Sequence, residues 1–376
     1  MGSAALAECA ARGARAIGIE RYARGHTLGA SNGKSRIVRQ AYYEHPAYVP
    51  LLLRAYERWR ALETRSGGSL LELCGLLMAG KPGSEVIGGA LRAAREHGLS
   101  IEEYGAADIR RRYPDLRVRD DEVAIVEPLG GFVRPEAAVE AFLASAARDG
   151  AELRFACAMR SWSADGGGLS IELDDGSIVR ASRLVLTLGP WFAQTLAEVG
   201  VPLRVQRNVQ VWFEPSTQAY GLARFPVFLL DREGLPAPVY GFPDAGDGVK
   251  AAFHGLGATT EPDRLERSVD PARDIVPLAA VLDDWMPGAA GRVVDAKVCM
   301  YALTPDADFA IDLHPANGRV VVCSGFSGHG FKFASAIGEI AADLALEGGT
   351  SLDIGFLSLR RFTRGSPPAN SRSHRA

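Results

Sequence analysis

Long apolar runs are missing from this chain. No stretch comes near the roughly 20 residues a helix needs to cross a bilayer, and the first residues lack a basic region followed by an apolar core, so neither a membrane span nor a secretory leader is expected. Clusters of like charge are missing too. The 42 basic and 45 acidic residues leave a net charge of −3 with no basic stripe, which argues against nucleic acid or a membrane surface as partner. Cysteine is scarce: Cys9, Cys74, Cys157, Cys299 and Cys323 are odd in number, scattered and without a C-x-x-C spacing. That excludes a disulfide framework or a zinc site as the organising device. A cytoplasmic protein with reduced thiols and no metal is expected. No repeat of roughly 20 to 50 residues points to a solenoid.

What is present is a length of 376 residues, 47% of them apolar, enough for two domains that share a crevice. The opening residues are good helix formers, followed by Arg15–Glu20 as a short buried strand. A second helix is expected from about Tyr48 to Leu62, with Leu51, Leu52, Tyr56, Trp59 and Leu62 on one stripe. Ala137–Ala147 reads as helix, Leu153–Ala156 as strand, and Asp174-Asp175-Gly176 as a hairpin turn. Arg183–Gly189 reads as a buried strand running into a helix, a crossing found in doubly wound sheets. Four strands are expected between residues 205 and 254. One more, Arg319–Cys323, precedes a glycine-rich loop and a last long helix.

Part of a dinucleotide-binding turn is legible. That fold needs a strand, a G-x-G-x-x-G turn, a helix and an acidic residue ending the next strand. Gly2 stands as the third glycine and Glu20 follows it at close to the required spacing. The first strand and first two glycines would lie before Met1, so a truncated start is expected.

Three segments carry a family resemblance: Ser31-Asn32-Gly33-Lys34-Ser35-Arg36-Ile37-Val38-Arg39, Val298-Cys299-Met300-Tyr301 and Gly325-Phe326-Ser327-Gly328-His329-Gly330-Phe331-Lys332. With Tyr240-Gly241-Phe242-Pro243 and Lys250–His254 between them, the chain resembles the monomeric sarcosine oxidase and N-methyl-tryptophan oxidase group of D-amino-acid-oxidase-like flavoproteins, from Met1 to about Phe362. Arg36 and Arg39 stand at i and i+3, which a first helical turn would aim at one region. A guanidinium suits a carboxylate, although an isolated R-x-x-R reads as surface ion pairs. The resemblance implies that Arg39 binds the substrate carboxylate with Lys332 as second partner, and that Arg36 lies by the flavin. It implies a catalytic role for Lys250 in activating oxygen, with His254 shaping the pocket round the amine. Tyr240 and Tyr301 become pocket walls. Gly2, Glu20, Ser35, Gly328, His329 and Gly330 become cofactor contacts, and Cys299, taken alone a core thiol, becomes the point where FAD would be linked covalently.

The fold class expected is α/β: a Rossmann-like FAD-binding domain lacking its first strand (1–70, 134–204 and 305–362), a mainly antiparallel substrate domain (71–133 and 205–304) and a disordered tail (363–376). The implied reaction takes a hydride equivalent from the carbon beside the nitrogen of a small secondary amine. The imine then hydrolyses, and O2 is reduced to H2O2. A monomer acting on a small amino acid is expected. Two alternatives stay open: a same-fold oxidase or dehydrogenase for a larger N-alkyl or cyclic amino acid, and a non-catalytic, vestigial flavoprotein. An NAD-dependent dehydrogenase fits less well, since no second nucleotide loop is visible.

Overall fold

The computed structural model describes residues 1–195 and 199–363. The opening helix spans Gly2–Ala11, and its small residues Ala4, Ala5, Ala7 and Ala10 are buried. Small side chains let backbones approach closely. A Cβ on Gly338, in the helix Ala334–Leu346, would lie 2.7 Å from the Ala4 backbone, so the two helices touch almost backbone to backbone. A second helix, Val49–Ser66, starts with Pro50 in its first turn and stops at Gly67, whose φ of 69° is left-handed. It buries Leu51, Leu52, Ala55, Trp59 and Leu62, close to the expected stripe. Trp59 Nε1 donates to the Lys332 carbonyl at 2.8 Å and so ties this helix to the glycine-rich loop.

Parallel pairing is limited to short strands. Ile17–Ile19 pairs with Glu152–Arg154, and Leu184–Leu186 pairs with Asn317–Ser324, which is flanked antiparallel by Ala310–His314. Among the described residues these are two separate sheets rather than one doubly wound sheet. The opening helix touches both. The hairpin at Asp174–Gly176 is present within a small antiparallel sheet, Met159–Asp165, Gly168–Leu173 and Ile178–Ala181.

The largest sheet has nine strands, all but one pairing antiparallel. The four strands expected between 205 and 254 appear as Arg204–Phe213, Val227–Asp231, Val239–Phe242 and Val249–Phe253. Its longest member, Val293–Leu303, pairs with Arg204–Phe213 over almost their full lengths. Leu76–Gly80, Glu102–Gly105 and Val123–Glu127 extend the other side. One face packs against the helix Val276–Trp285 around Trp285, Leu278 and Leu282. A three-stranded sheet, Arg36–Val38, Gly131–Val133 and Leu71–Glu72, lies beside it.

Two expectations need correcting. Arg36 and Arg39 do not share a helical turn: Arg36 opens a strand and Arg39 follows its end, because Ile37 and Val38 pair with Phe132 and Gly131. Thr363, assigned above to the tail, closes a last helical turn, Arg360–Thr363; residues 364–376 lie outside the described residues.

Candidate active site

A strand displays alternate residues on one face, and residues opposite each other across a ladder share that face. Gln206, Asn208 and Gln210 stand opposite Tyr301, Cys299 and Lys297; Trp212 stands opposite Lys250, and Lys250 opposite Phe242. Tyr240 is two residues before Phe242. One face of the large sheet therefore carries Gln210, Trp212, Tyr240, Lys250, Cys299 and Tyr301. Much of that face roofs a cavity of about 1750 Å³, whose opposite walls come from Met1–Ser3, Ile17–Glu20, Leu184–Pro190 and Gly325–Lys332.

On one wall the Arg39 guanidinium is almost fully buried, with its centre 4.3 Å from the ring centroids of both Tyr42 and Tyr43. Its Nη2 donates to both Glu44 oxygens at 2.5 and 2.6 Å, and its Nη1 to the Ala41 carbonyl at 3.2 Å. Burial alone would raise the Glu44 carboxyl, but Arg39, His329 and Lys332 outweigh it and bring it down to about 2. Glu127, also buried, accepts from the amides of Gln40 and Ala41 at 2.6 and 3.0 Å and holds the turn that presents Arg39.

Lys332 lies in the short turn Phe331–Phe333 ahead of the last long helix, and it is 6% exposed. Its Nζ donates to the His329 carbonyl at 2.7 Å and sits 5.0 Å from the Tyr42 ring centroid. Burial, helped by the Arg39 charge and opposed by Glu44, lowers the ammonium to about 7. The His329 ring is committed elsewhere: Tyr42 Oη lies 2.5 Å from Nδ1 and the Ala307 carbonyl 3.0 Å from Nε2. Burial pushes this imidazole down to about 3, so it stays neutral and supports the loop rather than offering its ring to a ligand.

Arg36 donates to the Ser35 and Ala30 carbonyls at 2.9 and 3.1 Å, and its Nη2 stands 3.9 Å from the Cys299 sulfur. Cys299 is a buried free thiol. Tyr301, two residues on, has its hydroxyl 3.5 Å from His254 Nδ1 and packs against Gly328. A Cβ on Gly328, whose φ is 80°, would sit 2.4 Å from that ring, so only glycine lets the loop pass. Tyr240 stands edge-on to His254, centroids 6.1 Å apart. At the far end Gly2 begins its helix where a Cβ would meet Thr187 Oγ1 at 2.7 Å, and Glu20 ends its strand, accepting from the Tyr22 amide at 2.9 Å.

Two expected site residues do not reach the cavity wall. Lys250 is 2% exposed and spends its ammonium on the Gly33 and Ser35 carbonyls and on Ser35 Oγ, at 2.6, 2.8 and 3.2 Å. Burial, then the Arg36 charge, lowers it well below the usual lysine range. Ser35 is likewise turned to Lys250 and is not among the lining residues. Conversely, Glu44, Glu127 and Gln210 were not anticipated. Amides at every second position of the strand Arg204–Phe213, at Gln206, Asn208 and Gln210, are the signal that could have found the last.

This arrangement, a glycine-rich loop and two short parallel pairs facing a broad sheet across a large cavity, is the architecture of an amino-acid oxidase fold. NikD, described as an unusual amino acid oxidase essential for nikkomycin biosynthesis, superposes with a TM-score of 0.83 at 26% identity, over 95% of this chain and 94% of that one. Glycine oxidase from Geobacillus kaustophilus shares the fold at a TM-score of 0.79 and 19% identity, over 95% of each chain. The chain belongs to the FAD dependent oxidoreductase family, whose model matches residues 1–344. It is 42% identical to monomeric sarcosine oxidase of Streptomyces avermitilis over 96% of this chain and 95% of that protein. It is 32% identical to N-methyl-L-tryptophan oxidase of Yersinia pestis over 96% of each. The residues present fit the flavin dinucleotide: the cavity exceeds the roughly 300–1,000 Å³ of ordinary small-ligand pockets, Glu20 borders one end, and the glycine loop Gly328–Gly330 lines another wall. Among the described residues no helix is long and apolar enough to cross a membrane.

Proposed function

We propose that this FAD-dependent oxidoreductase oxidises a small secondary amine, an N-methyl amino acid of the sarcosine type, to its imine, with O2 reduced to H2O2. The observation that carries this reading is the pair of buried basic side chains, Arg39 and Lys332, on one cavity wall beside the carboxylate of Glu44. Arg39, joined by Lys332 once that ammonium is protonated, suits a substrate carboxylate. The fork of Arg39, held between Tyr42 and Tyr43, orients that carboxylate, and Lys332 adds charge without fixed geometry. Tyr240, His254 and Tyr301 then close around the amine.

Glu20 and the start of the Gly2 helix would hold the dinucleotide end of FAD, with Arg36 and Gly328–Gly330 at its ring and Cys299 as the site of covalent attachment. When bound, the flavin supplies the two-electron acceptor. Lys250 acts on oxygen activation indirectly, through the Gly33–Ser35 turn: its three hydrogen bonds fix the segment that carries Arg36. Two units fit this arrangement, a FAD-binding one of residues 1–70, 134–204 and 305–362 and a substrate one of 71–133 and 205–304. The protein works as a cytoplasmic monomer in this reading. Peroxide release from sarcosine, N-methyl-L-tryptophan and pipecolate tests it. Turnover of sarcosine above the other two is expected, and no peroxide from any would overturn the proposal.

A further inference from the structure

Gly33 and Lys34 are consecutive left-handed residues, with φ of 101° and 65°. Glycine takes that conformation freely, whereas lysine is strained in it, and such strain persists only where the surroundings hold it. Successive N–H groups in a bend of this kind point to one side and form a concave pair of donors that suits an anion. Glu136 fills it. Its Oε1 accepts from the Gly33 amide at 2.7 Å and from the Lys34 amide at 3.1 Å, and its Oε2 lies 3.2 Å from the Lys34 amide. The carboxylate comes from the first turn of the helix Pro135–Arg148 and borders the cavity. A glutamate at a helix start ordinarily serves the dipole of its own helix; here both oxygens are also engaged by a segment 102 and 103 residues away in sequence.

Lys250 grips the other side of the same turn, its Nζ donating to the Gly33 and Ser35 carbonyls at 2.6 and 2.8 Å. The Ser35 carbonyl also accepts from Arg36 Nη1 at 2.9 Å, and Arg36 Nη2 stands 3.9 Å from the Cys299 sulfur. A carboxylate on the N–H side and donors on the carbonyl side polarise the turn in one sense, so the two sets of hydrogen bonds reinforce each other. Without Glu136 the two amides lose their acceptor and Lys34 is free to leave its strained conformation, which turns the Gly33 and Ser35 carbonyls away from Lys250 and Arg36. We propose that Glu136 is a positioning residue for the reaction with O2: its carboxylate locks the Gly33–Ser35 turn in the shape that aligns Lys250 and Arg36. This rests on the oxygen half of the reading above, in which O2 takes up two electrons and two protons and leaves as H2O2. The role is geometric, so what matters is an acceptor oxygen at this place rather than its charge.

The test takes flavin-loaded wild type, Glu136→Leu, Glu136→Gln, Lys250→Met and the double variant Glu136→Leu with Lys250→Met. Each is reduced with dithionite in the absence of oxygen and mixed with O2 while the flavin absorbance is followed, so the readout does not depend on which amine is the substrate. Flavin content and thermal melting check folding, and Glu136→Ala replaces Glu136→Leu if that variant does not fold. Reoxidation is expected to slow by about tenfold or more in Glu136→Leu, a loss of the size that small misplacements cause, and to stay within about threefold of wild type in Glu136→Gln. Adding Glu136→Leu to Lys250→Met should slow it by no more than about twofold further, because both side chains act through one turn. Hydrogen exchange of the Gly33 and Lys34 amides, read by mass spectrometry, should speed up in Glu136→Leu and not in Glu136→Gln. Unchanged reoxidation or exchange in Glu136→Leu, equal slowing in Glu136→Gln, or full additivity with Lys250→Met would overturn the assignment. Wild type that reoxidises with O2 but releases no peroxide from any amine sinks the amine half of the reading and leaves this result as expected. Wild type that reoxidises no faster than free reduced flavin sinks the oxygen half and this inference with it.

Discussion

Arg39 and Glu44, five residues apart, form a buried ion pair that neither could sustain alone. Two tyrosine faces cover the guanidinium, and the Lys332 charge also acts on the carboxylate. Removing one partner of such a pair leaves an uncompensated charge, at a cost of about 3–5 kcal/mol. Glu44→Gln is therefore expected to lower the melting temperature while tightening acetate binding, because Arg39 then lacks its resident anion. Calorimetry and flavin-absorbance titration read the two effects separately; weaker acetate binding in a folded variant would contradict this.

Lys332 gives the site a pH dependence. Its ammonium, lowered to about 7, attracts a carboxylate only when protonated. Acetate affinity should be flat below pH 7 and fall above it, by up to about tenfold per unit. Lys332→Met should bind weakly at all pH values and lose the break near 7. A break that persists in the variant would assign it to another group.

His329 bears on stability rather than binding. Its folded value, about 3, lies below the roughly 6.5 of a free imidazole. Between those values the unfolded chain takes up a proton the folded one refuses, so stability rises with pH across that window and is lost as pH falls through it. Denaturant melts from pH 4 to 7 should show a shallower slope in His329→Gln than in wild type.

Gly328 and Tyr301 are packed so closely that a methyl group cannot enter. Gly328→Ala adds left-handed strain to a clash with the ring and should reduce both thermal stability and flavin content. Adding Tyr301→Leu should restore part of the flavin content, since the clash term then disappears; no coupling between the two changes would mean the backbone strain alone matters.

Cys299 is the point of attachment proposed for FAD. Acid-precipitated wild type should remain yellow and Cys299→Ser should release its colour to the supernatant, whereas colour released from both would place the cofactor as non-covalent.

The local pattern was enough to locate the helices Gly2–Ala11 and Val49–Ser66, the hairpin at Asp174–Gly176 and the four strands from Arg204 to Phe253, because each follows from residue spacing and turn chemistry within a few residues. The motif segments likewise placed Arg36, Arg39, Cys299, Tyr301 and Lys332 around one cavity before any coordinates. What spacing cannot encode is which partner satisfies a buried group. Lys250 stands on the expected strand, yet its ammonium is taken by carbonyls more than 200 residues away in sequence. The strand order, the turning of His329 toward Tyr42 and the grip of Glu127 on the Arg39 turn all depend on contacts between distant segments. Such contacts form only when the chain closes, since burial makes each polar atom find its partner among whatever the fold brings near.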